Sequence, residues 1–322
     1  MKKMQLQNLA KCAVFFLLLA AILAVLSIAF KPKDNTKDAG MNYIQAHGFL
    51  GEPDNSIDVI FIGDSEAYGA YSPLEMWATS GFTAYVCANG SQSLDDTYTY
   101  LLEATQHQQP KLVIIEALPI MRKMSANDSL FSEAARLIPL LNDHDHWKTL
   151  RGTDLFAPVA YTHQDSAKGY WPRWKRVAAE DGQYMKATDQ TKPIALLNRI
   201  YLARILDYCQ KRGIQVLFVA SPSPVNWNYK KHNAVDHYAR KKGVPFLDLN
   251  LVTDGLEINN QTDWRDGGDH LNIYGATKVS RYLATYLAEE YDLPDHREDE
   301  AYSKWNDCLE QYREEYAAAF SS

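Results

Sequence analysis

The chain has 322 residues, 46% of them hydrophobic and 12% aromatic, which suffices for one large or two small domains with a full core. Its formal net charge is -7 and no basic stripe is visible, which argues against a nucleic-acid partner. Four cysteines (Cys12, Cys87, Cys209, Cys308) show no C-x-x-C spacing, which argues against zinc sites, thioredoxin-type sites and a disulfide framework.

Ala13 to Phe30 contains no charged residue and is rich in Leu, Ala, Val, Ile and Phe. As a helix this run spans roughly 27 Å, enough for a bilayer core. Lys2, Lys3 and Lys11 precede it and favour an N-terminus on the inside, although Lys31, Lys33 and Lys37 follow it. Residues 1–30 are therefore expected to form a membrane anchor, single-pass, with the C-terminal part outside the cytoplasm. The alternative is a cleaved signal peptide with small residues at Ser27-Ile28-Ala29, which would make the protein secreted. Cys12 lies before the apolar run and is no lipoprotein cysteine. Either way, NAD and ATP are poor substrate guesses.

Residues 31–55 are polar and read as a stalk. Beyond them, strand-like and helix-like stretches alternate. Val59 to Ile62 is a continuous apolar strand, followed by strands at Ala84 to Ala88 and Leu112 to Ile115, with a helix over Leu94 to Gln106. Met121 to Lys192 interrupts this rhythm and carries Trp147, Tyr161, Tyr170, Trp171, Trp174 and Tyr184, so it reads as an insertion near the rim, part cap and part helix. The rhythm resumes with a helix over Ile194 to Arg212, stopped by Gly213. A strand over Val216 to Ala220, a helix over Asn233 to Lys242 and a strand over Phe246 to Leu249 follow. A helix over Gly275 to Tyr291 has an apolar stripe through Val279, Leu283 and Leu287. Short buried strands between helices imply a parallel sheet covered on both faces, with ligands at the carboxyl ends of the strands. The domain is expected over 56–292, with a charged peripheral helix in 293–322.

Two segments carry chemistry. Gly63-Asp64-Ser65-Glu66 follows the first strand; Gly63 permits a sharp turn, and Ser65 opens the next element where backbone N–H groups can face an oxyanion. Asp266-Gly-Gly-Asp-His270 offers a histidine able to take the serine proton and a carboxylate to orient it. Asp266, across two glycines, folds back more easily than the adjacent Asp269, which stays as the alternative. Trp227 and Trp264 stand beside rim loops, as sugar platforms or as packing residues. Asp143-His144-Asp145-His146 reads as a solvated loop rather than a metal site, and Asn127-Asp-Ser129 matches a glycosylation sequon.

Val59-Ile-Phe-Ile-Gly-Asp-Ser65 and His270-Leu-Asn-Ile-Tyr-Gly275 together resemble the SGNH (GDSL) hydrolase superfamily, in its membrane-anchored branch. Ser72-Pro-Leu-Glu-Met-Trp77 and Pro110-Lys-Leu-Val-Ile-Ile-Glu116 look like the related DltD-like and cell-surface O-acylation proteins. The resemblance implies a flavodoxin-like three-layer α/β/α domain with a central parallel sheet and a Ser-His-Asp site that includes Ser65 and His270, without metal or organic cofactor. It also implies an oxyanion hole built with Gly90, for which Asn89 or Gln92 could supply a further donor. Two departures stand out. The family aspartate usually lies three residues before the histidine, where this chain has Gly267, and the family's Gly-x-Asn-Asp block is replaced by Ile115-Glu116-Ala117. The implied function is an esterase or O-acyltransferase acting on cell-surface polysaccharide, peptidoglycan or teichoic acid, with a membrane-bound acyltransferase as a candidate partner. The alternative is a non-catalytic surface protein that binds glycan or such an acyltransferase.

Overall fold

The structure is a computed structural model that describes all residues except 1, 149, 151, 153–156, 181 and 318–322. Its elements in chain order are α1 (Lys2–Phe30), β1 (Val59–Gly63), α2 (Ser65–Ala70), α3 (Pro73–Ser80), β2 (Ala84–Ala88), α4 (Leu94–His107) and β3 (Leu112–Glu116). Then come α5 (Leu118–Met121), α6 (Ala126–Leu137), α7 (Leu140–Asp143), a 3-10 turn (His144–Lys148), α8 (Leu196–Arg212) and β4 (Gln215–Ala220). The chain finishes with α9 (Tyr229–Lys242), β5 (Phe246–Asp248), α10 (Ile273–Glu290) and α11 (Ser303–Glu315). They form two compact units, residues 1–44 with 126–163, and residues 45–125 with 164–322.

The second unit is built on a five-stranded, wholly parallel sheet in the order β2-β1-β3-β4-β5. Strand residues alternate between its faces, as a period of two requires. Ile60, Ile62, Val113 and Ile115 pack against α4, α8 and α9 through Leu101, Ile205 and Val235. Val59, Phe61, Leu112 and Ile114 pack on the other side against α2, α3 and α10 through Ala67, Met76, Val279 and Leu283. Burial on both faces is why β1 and β3 read as unbroken apolar runs. The result is the expected three-layer α/β/α sandwich in the flavodoxin-like strand order. Helix α11 adds a further contact: Trp305, Leu309 and Tyr312 pack on Leu74, Trp77 and Ile273, and Trp77 Nε1 donates to Asn306 Oδ1 at 2.9 Å.

Gly63 does its work sterically. Its φ is not positive, but a Cβ there would lie 2.5 Å from Glu116 Cβ and 2.9 Å from Ala67 Cβ. Gly63→Ala is therefore expected to cost about 1–3 kcal/mol through overpacking, read as a lowered denaturation midpoint at unchanged m-value.

Two sequence expectations change. The stalk over 31–55 is not free chain throughout, because Ala46 and Phe49 are buried in the sheet's core and the Tyr85 hydroxyl donates to Gln45 O at 2.8 Å. A few apolar residues in a polar stretch suffice to dock it. The stretch 121–192 is not one insertion either: residues 126–163 group with the N-terminal helix, whereas 121–125 belong to the second unit and 164–192 run irregularly within it. In the first unit, Met4–Phe30 is long and apolar enough to cross a membrane, a test that a signal sequence also passes.

Candidate active site

Strand β1 lies between β2 and β3, the point where strand order reverses and where open α/β sheets hold ligands. Ser65 follows directly and opens α2, whose first-turn N–H groups lack helical partners. The turn is held by its neighbour. Asp64 accepts from the Glu66 backbone N–H at 3.1 Å and from the Arg122 guanidinium, which also donates to Gln92 O at 3.0 Å. Burial raises the Asp64 carboxyl, against the opposing pull of Arg122.

The histidine arrives on a closed loop. Trp264 and Leu271 pair antiparallel at its base, and Arg265 N donates to His270 O at 3.0 Å. Gly267 and Gly268 have φ of +81° and +99°, a region open to glycine at little cost. That reversal brings Asp266 back onto His270. Asp266 Oδ1 accepts from His270 N at 2.7 Å, and Oδ2 lies 2.9 Å from His270 Nδ1. An ionised carboxylate only accepts, so Nδ1 carries the proton and Nε2 is left as acceptor. His270 Nε2 lies 2.8 Å from Ser65 Oγ. The three side chains thus form one hydrogen-bonded chain from hydroxyl to carboxylate.

Burial raises the Asp266 carboxyl, but hydrogen bonds from the His270 backbone and ring and from Arg265 outweigh it, and the net shift is downward. Arg265 donates twice to Oδ2, at 3.1 and 3.0 Å. Asp269 is the more distant carboxylate, with Oδ2 3.4 Å from Nδ1. Its Oδ1 accepts from the Asn226 amide. That amide also donates to Glu66 Oε1 at 3.0 Å, and Ser223 Oγ donates to the same oxygen at 2.9 Å. Glu66 is buried, and burial, then Asp64 and Glu116, push its carboxyl well up. The nucleophile helix is thereby tied to the histidine loop through Asn226. Glu66, Asp269 and His270 are close enough together to hold a metal ion, but the Asn226 amide already bridges the two carboxylates.

Glu116, where an asparagine was expected by resemblance, turns inward. Its Oε2 accepts from the Tyr71 hydroxyl, and its Oε1 accepts from Ala117 N at 3.1 Å and Ser221 N at 3.3 Å. Burial pushes its carboxyl up to about 8, against the Tyr71 hydrogen bond. A carboxyl raised on folding contributes stability that is present below its ordinary range and lost as pH rises through about 8. The protein is expected to lose roughly 2–5 kcal/mol between pH 5 and 9 from this group. In Glu116→Gln the amide oxygen can keep both N–H donors and the NH2 can face the tyrosine oxygen, so the profile flattens. Unfolding midpoints against pH for both proteins check this.

In the loop after β2, Asn89 N donates to Gln92 Oε1 at 3.1 Å and the Asn89 amide donates to Tyr100 at 3.3 Å. Gln92 is buried and donates to Thr97 Oγ1 at 3.2 Å. These two candidate donors are engaged in shaping the loop. Gly90 is exposed, with open space where a side chain would stand. Register pairs Gly63 with Ala88, so Ser65 and Gly90 each lie two residues past it on the same rim.

Trp227 and Trp264 are packing residues rather than sugar platforms. Both are buried, and their indole N–H groups donate to Asp248 at 2.8 Å and Asn260 at 3.2 Å. Exposed Trp171 packs on Tyr68, one turn after Ser65, with ring centroids 5.4 Å apart. Arg173 stacks on the Trp171 ring at 3.7 Å. Residues 171–179 run beside the histidine loop, with Val177 N donating to Trp264 O at 3.0 Å and Gly267 N to Val177 O at 3.2 Å. In the Asp143–His146 run, His144 Nδ1 lies 2.9 Å from Leu141 O and His146 Nδ1 lies 2.7 Å from Phe30 O, so these rings meet backbone. Sequence reasoning did not find Arg265, Asn226 or Tyr68. Arg265 adjoins Asp266 in sequence, but no spacing signal marks the other two.

No protein-family model and no curated protein matches the chain. Solved structures similar to it include a lipase/acylhydrolase from Enterococcus faecalis, 11% identical with a TM-score of 0.38, covering 74% of this chain and 98% of that one. An acetyl xylan esterase is 16% identical with a TM-score of 0.36, covering 73% and 100%. A GDSL-like lipase from Bacteroides thetaiotaomicron is 11% identical with a TM-score of 0.35, covering 72% and 87%.

Proposed function

We propose that the chain is a membrane-anchored serine esterase or O-acyltransferase, working outside the cytoplasm on acyl esters of cell-surface glycan, peptidoglycan or teichoic acid, as in the DltD-like branch of the SGNH hydrolases. The observation that carries the chemistry is the Ser65–His270–Asp266 hydrogen-bonded chain. Ser65 Oγ attacks the ester carbonyl as its proton passes to His270 Nε2, and Asp266 holds the imidazolium. The Ser65 and Gly90 N–H groups receive the oxyanion. Nε2 returns the proton to the leaving alcohol, which gives an acyl-Ser65. Water or a sugar hydroxyl, deprotonated by His270, then takes the acyl group. The apolar helix at the N-terminus supports the anchor, and exposed Trp171, packed on Tyr68 one turn after Ser65, suits an acceptor with a sugar face.

The test is labelling of the full chain with a fluorophosphonate, mapped by mass spectrometry, alongside hydrolysis of aryl acetates and O-acetylated glycans. An adduct on Ser65 that needs His270 is the expected result. A folded chain that takes no label and hydrolyses none of these esters would return the non-catalytic binding protein.

A further inference from the structure

Helix α6 is amphipathic the wrong way round for a protein surface. It buries Ser129 and Ala135, while Leu130 is 70%, Phe131 50% and Leu137 85% exposed. Leu130 and Leu137 stand two turns apart on one face, with Phe131 beside it. A helix on a soluble domain turns such a face to the core. Trp147, in the 3-10 turn that follows α7, is 62% exposed, with Lys148 Nζ 6.0 Å from its ring.

Hydrogen bonds within the same unit tie the segment that follows α6 to the end of α1. Leu140 N donates to Ser27 Oγ at 3.2 Å, and His146 Nδ1 lies 2.7 Å from Phe30 O. The α6–α7 segment therefore hangs on the last turn of α1. Phe30 also ends the uncharged run, the place where a spanning helix leaves the hydrocarbon. Lys33 donates back to Ile28 O at 2.7 Å and so caps a carbonyl in the last turn of α1. A tryptophan at that level belongs to the interfacial belt.

We infer that residues 126–148 form a second, monotopic membrane contact, with Leu130, Phe131, Leu137 and Trp147 seated in the outer edge of the bilayer that α1 crosses. The segment carries four acids (Asp128, Glu133, Asp143, Asp145) against two bases (Arg136, Lys148), so the attraction is apolar and independent of anionic lipid. Such faces sit roughly 5–10 Å into the boundary between headgroups and acyl chains. The inference rests on α1 being retained as an anchor and is independent of the ester chemistry.

The experiment uses the full chain reconstituted in phosphatidylcholine bilayers, with Cys12→Ser removing the exposed native thiol; the other three cysteines are buried. Nitroxides are placed singly at Leu130→Cys, Leu137→Cys, Leu18→Cys within α1, and exposed Lys241→Cys on α9. Accessibility to oxygen is compared with accessibility to a water-soluble nickel chelate. The expected result is a several-fold higher oxygen-to-nickel ratio at 130 and 137 than at 241, highest of all at 18, and unchanged when phosphatidylglycerol is added. A lipid-like value at 18 with water-like values at 130 and 137 overturns the inference while the anchor stands. A water-like value at 18 overturns both. Labels at 130 and 137 shielded from both reagents mean that protein covers this face, which also overturns it.

Discussion

Ser65→Ala is expected to lower kcat for ester hydrolysis by about 10⁴-fold or more, with the unfolding free energy changed by less than about 0.5 kcal/mol. The two halves of that expectation have separate physical origins. The chemistry is lost because no other hydroxyl is shown within hydrogen-bond reach of His270 Nε2 among the described residues. Stability is kept because the turn does not rest on the Ser65 side chain; buried Asp64 caps α2 and binds Arg122. His270→Ala should match Ser65→Ala, and the double variant should be no worse than either, because the residues act as one unit. Initial rates on an aryl acetate and thermal melts of the three variants test this together. Additive losses in the double variant would mean that serine and histidine do not work on the same step.

The parts of this arrangement legible in the sequence are those that depend on local pattern. Val59–Ile62 and Leu112–Ile115 announce buried parallel strands because both of their faces are covered, and the serine turn follows from its place at a strand end. The glycines at 267 and 268 signal a reversal that lets Asp266 reach His270 despite its unusual spacing. What sequence could not show depends on contacts made at a distance. Glu116 reads as a missing oxyanion donor, yet it is a buried acceptor for Tyr71, Ala117 and Ser221. Trp227 and Trp264 flank rim loops but point into the core, where Asp248 and Asn260 satisfy their N–H groups. Phe49 reads as part of a stalk because scattered apolar residues in a polar stretch have no period to betray their burial.

The second large effect separates the two aspartates. Asp266→Asn is expected to reduce kcat by on the order of 10³- to 10⁴-fold, and Asp269→Asn by less than about tenfold. The difference lies in what each carboxylate accepts. Asp266 receives the His270 backbone N–H on Oδ1, and the ring Nδ1–H with two Arg265 donors on Oδ2. An amide cannot serve all four. In one orientation its NH2 meets the backbone N–H; in the other it meets the ring and Arg265, and forces the tautomer whose Nε2 cannot accept the serine proton. In both, the negative charge that holds the imidazolium is gone. Asp269 lies farther from Nδ1, and its Oδ1 is engaged by Asn226. An asparagine there can keep that contact by turning its oxygen to the Asn226 amide. Steady-state kinetics of the two variants decide the matter, with KM separating lost chemistry from lost binding. Equal losses would mean that the carboxylates share the histidine, and a larger loss at 269 would exchange their roles.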